Sequence, residues 1–185
     1  MARYFSLTAD GGSRGNPGPA GYGSVITENG SIIAELYDFI GIATNNVAEY
    51  SGLIAGLTAI SAIDPTATID VKMDSKLVVE QMSGRWQIKH ADMRSLAEEA
   101  RAAHTPALVT YSWIPRDENS HADRLANKAL DQEEGSRQVI PIQKNYLTER
   151  LLSQEIATTI FLIRHGETPL TPLKKFSGEI GRAHV

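Results

Sequence analysis

The stretch Thr8 to Gly23 limits what this chain can fold into more than any other. Ahead of it, Arg3 to Ala9 is short and carries β-branched and aromatic residues, which predicts a strand with the carboxylate Asp10 at its end. Five of the twelve residues after Asp10 are glycine, and Gly15-Asn16-Pro17-Gly18-Pro19 excludes both helix and ladder. An acid followed by Gly11-Gly12 lets a backbone come very close, which suits a phosphodiester and its metal. The same residues also read as a hairpin turn with a solvated aspartate.

Beyond this stretch the pattern alternates between sheet and helix. Ala20–Thr27 predicts a second strand, Asn29-Gly30 a tight hairpin, and Ile32–Ile42 a third strand, an antiparallel meander. Thr44-Asn45-Asn46 opens a helix with Val47, Tyr50, Leu53, Ile54 and Leu57 at helical spacing, ending near Ala62 before Asp64-Pro65. Thr68–Met73 predicts a fourth strand closed by Asp74, and Ser75–Met82 a short helix broken by Ser83-Gly84. A helix over Ala91–Ala103, a fifth strand over Leu108–Ile114 and a last helix from Asn119-Ser120 complete the series. This order implies an α/β domain, a mixed sheet covered by helices.

Composition narrows the chemistry. The chain has 185 residues, enough for one domain of about 100–150 residues and a tail. It has no cysteine, which removes disulfides, thiolate zinc sites and Cys nucleophiles. It shows neither a membrane-length apolar run nor a signal-peptide pattern, so a cytoplasmic protein with no membrane partner is expected. The net charge of −4 means that any nucleic-acid contact needs a local basic strip or metal ions.

Four acids stand at comparable places: Asp10 and Asp74 at strand ends, Glu49 and Asp123 in first helical turns. Singly, three of them have a capping explanation. Asn46-Val47-Ala48-Glu49 and Ser120-His121-Ala122-Asp123 fit capping boxes, and Asp74 precedes a helix. Asp10 has no helix after it to cap. Together the four can meet at one sheet edge, where their repulsion demands cations, and hard Mg²⁺ or Mn²⁺ is the natural partner of oxygen ligands. Two such ions sharing a carboxylate can activate water and stabilise a leaving oxygen.

Asp10-Gly11-Gly12-Ser13-Arg14-Gly15-Asn16-Pro17-Gly18-Pro19-Ala20-Gly21, Thr44-Asn45-Asn46-Val47-Ala48-Glu49-Tyr50, Met73-Asp74-Ser75 and Asn119-Ser120-His121-Ala122-Asp123-Arg124-Leu125-Ala126-Asn127 occur in this order. In this the chain resembles type 1 ribonuclease H over residues 2–132. The resemblance implies the ribonuclease H-like fold: three antiparallel strands, then two parallel ones, flanked by helices. It implies an endonuclease that hydrolyses the RNA strand of RNA–DNA hybrids with two Mg²⁺ ions (Mn²⁺ as a substitute), leaving 3′-hydroxyl and 5′-phosphate ends. A monomer is expected. The alternative is a non-catalytic module of the same fold that binds hybrids or double strands.

By the same resemblance Asp10, Glu49, Asp74 and Asp123 are the catalytic metal ligands, Asp10 bridging, with Glu49 also holding water or a ribose 2′-hydroxyl. Gly11, Gly12, Ser13, Asn16 and Asn45 would meet the RNA, through the hydroxyls that distinguish it from DNA. Thr44 and Asn46 would meet the DNA strand. Two departures from the well-known bacterial members stand out. The segment Ser83–His90 replaces a longer basic helix, leaving Arg85, Trp86 and Lys89 either to line a DNA channel or, for the Trp, to fill the core. Trp113–Asn119 lacks the family's mobile histidine, with Arg116 as the candidate substitute, and such a variant resembles the archaeal-like subgroup. His121 is expected at the helix surface.

Residues 133–156 read as a linker. Over 157–178, Phe161-Leu162-Ile163-Arg164-His165-Gly166-Glu167-Thr168 resembles the start of a histidine phosphatase domain, with His165 taking the phosphoryl group and Arg164 binding it. The second His and the acid of that family are absent, so no phosphatase activity is expected. The whole resembles an actinobacterial fusion of the two families, cut short. Residues 179–185 back-translate into a sequencing-adapter read and are expected to be non-native.

Overall fold

The computed structural model describes residues 3–132. Five strands, β1 (Tyr4–Ser13), β2 (Gly18–Glu28), β3 (Ser31–Ala43), β4 (Thr68–Met73) and β5 (Val109–Trp113), form one sheet in the order β3-β2-β1-β4-β5. The first three strands are antiparallel neighbours, and β4 and β5 then add in parallel. Four helices complete the domain: α1 (Asn45–Ile63), α2 (Lys76–Met82), α3 (Ala91–Ala103) and α4 (Ser120–Gln132). The expectations for 133–185, the linker, the phosphatase-like segment and the non-native end, lie outside the described residues.

Strand alternation assigns the two faces. Phe5, Leu7 and Ala9 of β1 are fully buried and share a cluster with Tyr50, Leu53, Leu57 and Ile60 of α1. On the opposite face Val25 and Tyr37 pack with Leu125 and Ala129 of α4. Helix α1 lies between the sheet and α3 and is apolar nearly all round, as a helix covered on two sides must be. Burying the cluster's sixteen side chains larger than alanine at ~1.5–3 kcal/mol each makes this core the main source of stability.

Buried polar groups tie the layers together. Ser24 Oγ donates to Gly52 O at 2.7 Å, joining β2 to α1. Tyr50 Oη donates to Gln81 Oε1 at 2.8 Å, joining α1 to α2. Arg3 holds Glu28 through two contacts of 2.7 Å at the sheet's far end. The Asn29-Gly30 hairpin forms as expected, with φ of 51° and 78° at its two residues.

Two expectations about the opening stretch are corrected. Gly18 and Pro19, expected outside any ladder, open β2 by pairing with Ala43 and Ile42 of β3. Asp10 lies within β1, not at its end, because Gly11, Gly12 and Ser13 continue the ladder against Tyr22, Gly21 and Ala20. Glycines read as breakers from sequence, yet a partner strand on one side is enough to keep them extended. On the other side β4 pairs with β1 only as far as Thr8↔Lys72. From Ala9 onward that edge of β1 is therefore open, with Asp74 just past the end of β4.

Candidate active site

The open edge of β1 is where the acids meet. Asp10, Glu49 and Asp74 each offer a carboxylate oxygen, and these oxygens lie within 4.8 Å of one another. Asp10 and Glu49 are each only 6% exposed, and Asp74 is half-buried. Asp123 lines the same cleft of about 310 Å³ but stands outside this close group.

Two glycines let the helices deliver these side chains. A Cβ on Gly11 would stand 2.1 Å from Glu49 N and 2.2 Å from Ala48 C, so only glycine admits the first turn of α1 onto β1. The neighbouring Asp10 is thereby set against Glu49. Gly23, opposite Asp10 in the β1–β2 register, does the same for α4: its Cβ would meet Ala122 O at 2.3 Å and Leu125 Cβ at 2.5 Å. The close approach that Gly11 serves is thus one of helix to strand. A ligand is not needed to explain it.

The capping explanations of the acids do not hold. Helix α1 is capped by Thr44, whose Oγ1 accepts from Val47 N at 3.3 Å, and Glu49 is left buried with Oε2 lacking a hydrogen-bond partner among the described residues. Ser75 caps α2 without a side-chain bond, and Asp74 Oδ1 instead accepts from Asn119 Nδ2 at 2.7 Å. Asp123 accepts from Arg116 Nη2 at 2.6 Å and from Asn127 Nδ2 at 3.1 Å.

Electrostatics follow from this crowding. Burial, then the charges of Asp74 and Asp123, push the Asp10 carboxyl up to about 7, against the pull of Gly11 N–H and Arg116. Glu49 is pushed up to about 9, by burial first and then by Asp10 and Asp74. A carboxylate set that is buried, mutually repelling and partly unpartnered must either hold protons or meet a cation. Every donor is a hard oxygen, and among the described residues no His joins the group, so the set fits Mg²⁺ or Mn²⁺ rather than zinc.

The remaining expected site residues divide. Gly11, Gly12, Ser13, Asn45 and Arg116 line the cleft, together with Arg14. Asn16, Thr44 and Asn46 are not among its lining residues. Asn16 stays tied to it through Oδ1, which accepts from Asn45 N at 3.2 Å. Trp86 is 46% exposed, which rules out the core reading, and Arg85 is engaged with Glu80 at 2.6 Å. His121 sits at the surface of α4 with Nε2 2.7 Å from Glu35 Oε1, as expected away from the acids.

Asn119 is the residue that sequence reasoning passed over. It is 1% exposed, and its Nδ2 donates both to Ala9 O at 2.9 Å and to Asp74 Oδ1 at 2.7 Å. One amide thus pins the carboxylate beyond β4 to the open edge of β1. Trp113 adds a second hold, Nε1 donating to Asp74 O at 3.0 Å. In the sequence Asn119 reads only as the opening of the last helix, with the capping box given to Ser120, and that reading hid this role.

Comparison with known proteins agrees with this geometry. The family model described as Reverse transcriptase-like matches residues 8–129. The bifunctional protein Rv2228c of Mycobacterium tuberculosis is 46% identical over 183 residues, 93% of this chain and 50% of that protein, so the chain spans about half that relative's length. The solved N-terminal RNase H domain of Rv2228c is 51% identical, with a TM-score of 0.67 over 71% of this chain and 96% of that one. LC11-RNase H1, solved in complex with an RNA/DNA hybrid, is 36% identical, with a TM-score of 0.65 over 70% of this chain and 98% of that one. The fold, the clustered acids and these matches lead to one conclusion: the chain belongs to the type 1 ribonuclease H family.

Proposed function

We propose that the chain is an endoribonuclease that hydrolyses the RNA strand of RNA–DNA hybrids, using two divalent cations and leaving 3′-hydroxyl and 5′-phosphate ends. The observation that carries this reading is the trio Asp10, Glu49 and Asp74, with ligand oxygens within 4.8 Å and the Glu49 Oε2 buried without a partner. A pure binding module has no use for so much buried repulsion, which opposes binding of a polyanion.

Asp10, Glu49 and Asp74 would hold the cations, with Asp123 completing the set. When bound, such ions activate a water and stabilise the developing charge on the phosphodiester oxygens. The chain's own residues do the rest. Asn119 and Trp113 fix Asp74, so the carboxylate does not reorient as charge changes beside it. Gly11, Gly12 and Ser13, on the open side of β1, and Asn45, at the start of α1, offer short polar contacts to ribose hydroxyls. Asn16 holds the Asn45 backbone and so sets the approach of the RNA strand. Thr44 and Asn46, at the start of α1, are suited to the DNA backbone. Arg14 and Arg116 bring cations to the rim of this acidic cleft, paired with Asp131 and Asp123, where they can meet backbone phosphates.

The test uses the full chain, a hybrid labelled on its RNA strand, and Mg²⁺ with and without chelator. The reading expects RNA cleavage that chelator stops and that Asp10→Asn loses while hybrid binding survives. Shifted but uncut hybrid in the wild-type lanes would favour the binding-module alternative.

A further inference from the structure

The cleft contains a cation of the chain's own. Arg116 stands at its rim, the side chain 77% exposed, with Nη2 2.6 Å from Asp123 Oδ1. The other oxygen of Asp123 accepts from Asn127 Nδ2 at 3.1 Å. Both oxygens of this carboxylate are therefore engaged, and it stays outside the group in which one oxygen each of Asp10, Glu49 and Asp74 converges. Arg116 also acts on that trio. Its charge favours the ionised forms of Asp10 and Glu49, and its own proton is held by Asp123 first, then by Asp10 and Asp74.

We propose that Arg116 is an internal counter-ion that competes with divalent cations for Asp123, so that loading the site requires the guanidinium to leave that carboxylate. The inference rests on the metal-site reading above and extends it. An arginine suits this part because its charge is permanent and its planar donors fit a carboxylate and a phosphate equally well. A divalent ion that takes Asp123 releases those donors toward the cleft, where a backbone phosphate of the substrate is the next anion to arrive. Metal loading and substrate capture are thereby coupled through one side chain. The pair is exposed, so the exchange is cheap in both directions.

The test is a Mn²⁺ titration of the full chain, free Mn²⁺ being read by electron paramagnetic resonance, with no substrate present. Arg116→Met keeps an unbranched, flexible stem and removes the charge. It is expected to bind Mn²⁺ roughly two- to fivefold more tightly than wild type at low salt, the range that an exposed ion pair can supply. Arg116→Lys restores the charge and is expected to return toward the wild-type affinity. The gap between Arg116→Met and wild type should shrink as KCl rises, which a merely structural effect would not do. Equal or weaker Mn²⁺ binding by Arg116→Met, with Asp10→Asn abolishing it, overturns the counter-ion role and leaves the metal site standing. Binding that Asp10→Asn leaves unchanged overturns both.

Discussion

Replacing Asp10 by Asn should stabilise the metal-free chain at alkaline pH while removing a ligand from the proposed cation site. The Asp10 carboxyl is raised from 3.8 to about 7, chiefly by burial and then by Asp74. The folded state therefore binds this proton more tightly than the unfolded state, and stability falls as pH rises from about 4 to about 7. At ~1.4 kcal/mol per pH unit the loss above pH 7 is at most ~4 kcal/mol, less as neighbouring groups relax. Asn removes the charge yet keeps an oxygen for Gly11 N–H, which now donates to Asp10 Oδ1 at 2.9 Å. Calorimetry in chelator at pH 8 should show a gain of ~1–3 kcal/mol, a rise of roughly 3–12 °C in midpoint. At pH 5, where the folded carboxyl is protonated but the unfolded one is largely ionised, the gain should fall to about a third to a half of that, and it should vanish only below about pH 4. The same gain at both pH values, or a loss at pH 8, would refute the electrostatic account.

Other substitutions test the architecture. Gly11→Ala forces a methyl against Glu49 N and Ala48 C, and should cost ~1–3 kcal/mol by chemical denaturation and weaken Mn²⁺ binding as Glu49 is pushed away. Asn119→Ala removes both holds on Ala9 O and Asp74 Oδ1, and should cost ~1–3 kcal/mol in urea melts and slow hybrid cleavage. Tyr50→Phe leaves Gln81 Oε1 buried without its donor, and should cost ~1–2 kcal/mol by the same melts with cleavage rate unchanged, since the pair lies outside the cleft.

Much of the fold was legible because its signals are local. The Thr68–Met73 strand and the Ala91–Ala103 helix have the bounds their sequences predict, each closed by its own flanking residues. The end of β1 was not legible, because whether Gly11-Gly12-Ser13 stay extended depends on a partner strand that begins only at Gly18. The acids were identified by type and position, but their separation from capping depended on contacts. Thr44 takes the cap that Asn46 had been given, and Asn119 takes hold of Asp74 across 45 residues of sequence. The pairing of Arg116 with Asp123, only 7 residues on, was concealed for another reason: the sequence offers Arg116 as a replacement for a mobile histidine, and nothing in it points that side chain at an acid.

The most direct test of the central idea, that these carboxylates form one divalent-cation site, is a Mn²⁺ titration of the full chain against Asp10→Asn, Glu49→Gln and Asp74→Asn. Each single change is expected to weaken binding at least tenfold, because a hard cation loses an oxygen ligand from a shared set. Wild-type affinity in any one of the three would contradict it.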